Sequence, residues 1–301
     1  MKTTDLKIER IEKPTVTFFQ KYIATSRQPV IITGVTSDWK ANYLWTDSYL
    51  DDAVGNIKVK FCTSQNSVFV GDPEDGYAKS FKIMRFSDFI SLLRLNRYSK
   101  DTYYYLAQAS IPQLSPKLLQ DIKFPVYCKN KLRHDDSSQL WLGSSGNISS
   151  LHYDMADNIL VQVKGSKRFV FFDPKQTNSL YPFPIDCQIP HTSQVDIDRP
   201  DLKQFPNFSN ARAVECVLKA GEMIFIPAFW WHQVYSLDDA QFPTISVNFW
   251  YKAPPMQLLT PPGRRYVTMR LWRKVEAWRR KLKCKLKLKH QNYRNSENSN
   301  F

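Results

Sequence analysis

The chain has 301 residues, 43% hydrophobic and 14% aromatic, which is enough to bury a sizeable core and excludes general disorder. Its net charge of +14 is uneven: residues 264–290 carry twelve Lys or Arg against one acid, Glu276, so the rest of the chain is nearly neutral. The first ten residues hold no apolar leader, no apolar run is long enough to span a bilayer, and five scattered cysteines follow no metal or disulfide spacing, so an intracellular, soluble protein without a transmembrane segment is expected, cytoplasmic or nuclear in a eukaryote.

In chain order, 15–26 and 46–54 read as helices, each opened by a threonine able to cap its first turn. Residues 29–33 and 57–63 read as strands, 86–95 as a helix and 102–106 as a strand. A short helix is predicted over 115–122, with Pro116 at its first position. From Gln139 to Lys252 strands dominate, interrupted by a proline-rich insert over 174–210 of the kind that shapes a substrate entrance. No internal repeat is present.

The chemistry lies in that strand-rich region. His152 and Asp154 stand two apart, so on a strand they share one face. His232 lies eighty residues on, after the apolar run Ile226-Pro-Ala-Phe-Trp-Trp231, whose aromatics read as core packing. Each candidate ligand sits at a strand end: two strand-like runs flank the Lys164-Gly165-Ser166 turn, and 245–250 forms another. Two histidines and one carboxylate with open positions make the ligand set of a non-heme Fe(II) oxygenase, set in the mouth of a small barrel. There is no Gly-rich phosphate loop, no Cys-x-x-Cys and no Ser-His-Asp signature.

Several longer motifs carry a resemblance. They are 28–34 (QPVIITG), Tyr104-Tyr105-Leu106, 146–149 (GNIS), the His152/Asp154 pair, 180–184 (LYPFP), 193–198 (SQVDID), 205–208 (FPNF), Trp230-Trp231-His232 and 247–252 (VNFWYK). In these the chain resembles the JmjC/cupin-like family of Fe(II)- and 2-oxoglutarate-dependent oxygenases, especially its factor-inhibiting-HIF-type asparaginyl hydroxylases and also the tRNA wybutosine hydroxylases. The resemblance implies a mainly β, α+β fold: a double-stranded β-helix, or jelly-roll, barrel with flanking helices. It implies Fe(II) on His152, Asp154 and His232, and 2-oxoglutarate and O₂ as cosubstrates. Lys167 is implied as the cation for the distal carboxylate, although Lys164 and Arg168 are neighbours and spacing alone does not choose among them. Tyr105 and Ser149 are implied as hydroxyl donors, and Asn158 and Asn248 as contacts at the chelating end. Trp250 would line the target pocket. The resemblance departs at His191-Thr192, where asparaginyl hydroxylases carry Arg-Gln; threonine does not reproduce the paired amide contact of glutamine.

The expected activity is therefore that of a dioxygenase hydroxylating a substrate C–H, first of all on a protein or peptide side chain. A modified tRNA base or a small metabolite is the second reading, and a non-catalytic metal-binding cupin module the third. The domains follow: residues 1–255 are catalytic, divided into an N-terminal region (1–135) and a barrel core (136–255); 256–290 form a basic extension; 291–301 form a disordered tail. Within the extension Val267, Leu271, Val275, Trp278 and Leu282 recur at helical spacing, so 264–282 reads as an amphipathic helix. Leu282 to Leu288 alternate with lysines, as in a short strand or a poor helix continuation. Three uses are open: packing on the barrel or in a homodimer, RNA binding, or attachment to an anionic surface through the basic 264–290 segment.

Overall fold

The protein is described by a computed structural model covering residues 2–3, 7–77, 80–99, 101–128, 138–237 and 243–298. Eight strands form the barrel: β1 (Ser138–Gly143), β2 (Ile148–Tyr153), β3 (Asp157–Lys164), β4 (Lys167–Phe172), β5 (Arg212–Leu218), β6 (Met223–Ile226), β7 (Trp231–Ser236) and β8 (Thr244–Tyr251). They pair antiparallel in two layers, β6-β3-β8-β1 and β5-β4-β7-β2, which is the jelly-roll order expected of a double-stranded β-helix. The first layer is widened by N-terminal strands, including Val30–Thr33 against β6 and Tyr103–Ser110 against β1.

β3 shows why the barrel closes: seven of its eight residues are buried, because helices cover one face and the second layer the other. The large cluster on the helical side contains Phe19, Ile23, Trp39, Trp45 and Leu50, and Thr15 and Thr46 cap the helices that carry Phe19, Ile23 and Leu50, as expected. The first helix is continuous over 16–26 but widens to a π turn at Phe19–Ile23, which swings both buried side chains onto the sheet. The short helix expected over 115–122 spans Pro116–Gln120, with Pro116 at its first position and Ser115 as its cap; the turn Ile111–Leu114 before it was not foreseen.

Two expectations need adjustment. The 174–210 insert is no loose loop: Leu180, Val195, Ile197, Phe205 and Phe208 form a core of their own with β2, β4 and β7. The C-terminal segment is one helix, Pro261–Asn298, rather than a helix ending near 282 followed by alternation or by a frayed tail from 291; residues 299–301 lie outside the described residues. Among the described residues all five cysteines are free thiols, and no helix is long and apolar enough to cross a membrane.

One buried ion pair ties the helical layer to the barrel. Arg27, which ends the first helix in a left-handed conformation, grips Asp157 with both Nη atoms, one at 2.9 Å. Asp157 is 2% exposed and its Oδ1 also accepts from the Ala228 N–H at 2.9 Å, while Trp230 Nε1 donates to the Arg27 carbonyl at 2.7 Å. Removing one partner of such a pair strands a buried charge. Arg27→Ala is expected to destabilise the fold by about 3–5 kcal/mol, read from urea unfolding; a loss below about 1 kcal/mol, the scale of an exposed pair, would refute the assignment.

Candidate active site

The barrel encloses a cavity of about 370 Å³, in the range of small-molecule sites. Strand alternation decides what lines it. Asn158 and Leu160, Lys167 and Phe169, His232 and Val234, and Asn248 and Trp250 are i, i+2 pairs, all facing inward. Ser149 and His152 are three apart, which a regular strand would place on opposite faces. The β2–β7 register shifts between them: His152 opposes His232, and Ser149 opposes Val234, so β2 carries one extra residue and both side chains reach the cavity.

His152 and His232 are thus direct cross-strand partners, with ring centroids 4.3 Å apart. Each ring is held alike. His152 Nδ1 lies 2.7 Å from the Ser150 carbonyl, and His232 Nδ1 lies 2.9 Å from the Trp230 carbonyl. A carbonyl only accepts, so both Nδ1 atoms carry the proton and both Nε2 lone pairs remain available, as a metal-ligating pair requires. Burial, followed by the neighbouring His152, lowers the pKa of His232 and keeps it neutral; Asp154 opposes the shift. Among the described residues no three His, Cys, Asp or Glu side chains are already gathered into a metal-binding group. Asp154 is engaged with Trp250, whose Nε1 donates to Oδ2 at 3.1 Å. In donor chemistry the set nonetheless fits Fe(II): two imidazoles and a carboxylate on one cavity.

The backbone before His232 is unusual. Phe229 is a buried aromatic at φ 70°, a conformation that bulky residues avoid, and its N–H donates to the Asp154 carbonyl at 2.8 Å. The strained turn therefore binds the His232 strand to the Asp154 backbone.

The structure separates the three candidate cations. Lys164 donates to the Asn42 carbonyl at 2.6 Å, and Arg168 pairs with Glu215 at 2.8 Å. Lys167 lines the cavity, is 2% exposed, and has no carboxylate partner among the described residues. Burial alone pushes it down to about 7. Tyr105 is buried beside it, with Lys167 Nζ 5.9 Å from its ring, and shares a side-chain hydrogen bond with Ser149; burial raises its pKa. Asn158 and Asn248 also face the cavity, each with a buried Oδ1 that has no partner. An unpaired amine and two hydroxyl donors in one buried space fit a small dianion.

His191 and Thr192 diverge. His191 lines the cavity 6.5 Å, ring to ring, from His152, and burial and then His152 lower it to about 4. Thr192 bridges the backbone of His152, is 1% exposed, and does not line the cavity. Several wall residues were not foreseen: Cys62, Phe69, Tyr77, Gln108 and Trp141. Gln108 arrives through a bulge between Leu106 and Ala109 at φ 56°. In the sequence its only signal was its place two residues beyond the strand expected at 102–106.

The chain is similar in sequence to known proteins. A family described as the cupin-like domain matches residues 15–257. Lysine-specific demethylase 8 of Danio rerio is 34% identical over 250 residues, covering 81% of this chain and 58% of the relative. The protein of that name from Xenopus tropicalis is 32% identical over 251 residues, covering 82% and 53%. tRNA wybutosine-synthesizing protein 5 of Homo sapiens is 30% identical over 270 residues, covering 84% and 80%. The chain thus spans little more than half the length of the two demethylase-named relatives.

Lys167 carries a testable cost. Its folded pKa lies below the unfolded value of 10.5, so the unfolded chain binds more protons between about 7 and 10.5, and stability rises with pH across that window. At pH 7 and below the penalty is present in full. Lys167→Met is expected to raise the melting temperature of the metal- and cosubstrate-free protein by roughly 5 °C or more at pH 6.5, and by less at pH 10. A lower melting temperature at pH 6.5 would show that the ammonium has a stabilising partner.

Proposed function

Because the chain belongs to the cupin-like domain family, we propose that it is an Fe(II)- and 2-oxoglutarate-dependent dioxygenase that hydroxylates a C–H bond, with a protein side chain as its target. The observation that carries this reading is the coincidence in one cavity of a cross-strand His152–His232 pair, the Asp154 carboxylate and the unpaired cation Lys167.

His152, Asp154 and His232 would hold the metal, which with bound cosubstrate supplies oxidative decarboxylation of 2-oxoglutarate to succinate and CO₂ coupled to insertion of one oxygen atom into C–H. The chain's own contribution is positioning. Lys167 is held in its charged form beside the dianion, since an adjacent carboxylate favours the charged amine. Tyr105 and Ser149 donate hydroxyl hydrogens to the same carboxylate, and Asn158 and Asn248 orient the chelating end. Phe169, Leu160, Ile226 and Val234 keep water from the space between. The Trp250 indole holds Asp154 and walls the side from which a target would approach.

A protein side chain is favoured by two relatives named lysine-specific demethylases, and hydroxylation of an N-methyl group is one form of the same reaction. The second reading, a modified tRNA base, is supported by the relative named for wybutosine synthesis, which is matched over most of its length. His191 stands where a target-selecting side chain is expected, beside the proposed metal ligands. A non-catalytic cupin is disfavoured because both imidazoles keep free Nε2 atoms and Lys167 keeps its costly burial.

Protein loaded anaerobically with Fe(II) and 2-oxoglutarate is expected to form succinate when O₂ is admitted, and peptide and RNA pools then separate the two targets. His152→Ala and Asp154→Ala should reduce that succinate at least 100-fold (~2.7 kcal/mol) while far-UV circular dichroism stays unchanged. Succinate formation retained in both variants would refute the ligand assignment.

A further inference from the structure

The C-terminal helix turns its apolar stripe away from the body it is attached to. Its base is anchored: Tyr266 packs on Phe229 at 6.1 Å, Met269 is buried, Arg265 donates to the Phe183 carbonyl, and Arg273 donates to the Cys187 carbonyl at 3.4 Å. At about 100° per residue, Val267, Leu271, Val275, Trp278 and Leu282 fall on the opposite side. They are exposed there, Leu271 by 57% and Trp278 by 63%. Packing on the barrel is therefore not what this stripe is for. Basic side chains flank it on both edges: Arg270, Lys274, Lys281 and Lys285 on one, Arg279 and Lys283 on the other, all exposed. Glu276, paired with Arg279 at 2.8 Å, is the lone acid of residues 264–290.

We propose that this helix docks the protein on an anionic bilayer surface, with the stripe among the acyl chains and the two basic rows on the headgroups. The assignment is independent of the reaction proposed for the cavity. It rests on which occupant uses both features. A bilayer takes apolar side chains and lysines together, because long basic side chains reach up to the headgroups while their stems stay in the apolar zone. RNA would satisfy the charges but leave four aliphatic side chains against phosphate and water. A second copy would cover the stripe but bring like-charged rows edge to edge. A partner that wraps the helix would meet the body along the face held by Tyr266, Met269 and Arg273. A planar surface approaches from the open side alone.

The test uses the full chain in sedimentation with vesicles of phosphatidylcholine alone or mixed equally with phosphatidylserine. Binding is expected only to the mixed vesicles and should weaken as salt is raised. The double substitution Leu271→Gln/Trp278→Gln is expected to weaken it by about 100-fold, and Lys274→Gln/Lys281→Gln/Lys285→Gln by at least about tenfold, with the melting temperature unchanged in both. Unaltered binding by the Leu271→Gln/Trp278→Gln variant would overturn the proposal, since charge alone would then explain it. Absence of binding to mixed vesicles would also overturn it. In that event a single-stranded RNA oligonucleotide that binds the parent and the stripe variant equally reassigns the helix to nucleic acid, and a dimer lost in the stripe variant reassigns it to a second copy.

Discussion

Asp157 is the point on which both halves of the site depend. It begins β3, so its position sets where Asn158 and Leu160 face. The same carboxylate holds Arg27 at the end of the first helix and the Ala228 N–H in the turn before β7. That turn continues through the left-handed Phe229, fastened to the Asp154 carbonyl, and reaches His232 within three residues. Desolvating a carboxylate is expensive unless its lone pairs are engaged; here they are engaged by a guanidinium and a backbone amide. The ion pair thus fixes the entry of one inward-facing strand and the approach to another.

The cavity is built at the expense of stability. Lys167 is a long cation with no counter-charge among the described residues, and Asn158 and Asn248 keep unsatisfied oxygens close by. Each would be better satisfied in water. The surrounding layers are dense with aromatic contacts, such as Phe169 stacked on Phe171 at 5.5 Å, and these hold the polar groups in place. A ligand that supplies the missing counter-charge beside Lys167 would be bound partly through relief of this cost.

Much of the site was legible because strands impose a period of two. His152 and Asp154 share a face by alternation, whereas Asn158, Asn248 and Trp250 were implied by the family resemblance and alternation accounts for their facing one cavity. Ser149 does not, since its inward turn depends on a bulge in β2 created by pairing with β7. Lys167 was likewise undecidable from spacing, and the answer lay in partners distant in sequence: Asn42 for Lys164 and Glu215 for Arg168. Tyr77 and Gln108 reach the wall from segments outside the eight barrel strands, placed there by long-range pairing that local pattern does not encode. The C-terminal helix was visible as an amphipathic repeat, but which way its stripe points is a property of docking: Met269 and Tyr266 decide it, not the repeat.

The insert between β4 and β5 leaves the barrel after Phe172 and rejoins it at Arg212; its backbone pairs with the outer edge of β2 through residues 191–193, and its core side chains pack on β2, β4 and β7. β2 is held from its other side by β7, and β7 in turn by β4, so the register that presents the two imidazoles is set without the insert. Exposed positions of the insert can therefore change while Leu180, Val195, Ile197, Phe205 and Phe208 keep their core and the strands of His152 and His232 keep their alignment. A change at position 191 alters the cavity wall without moving either imidazole.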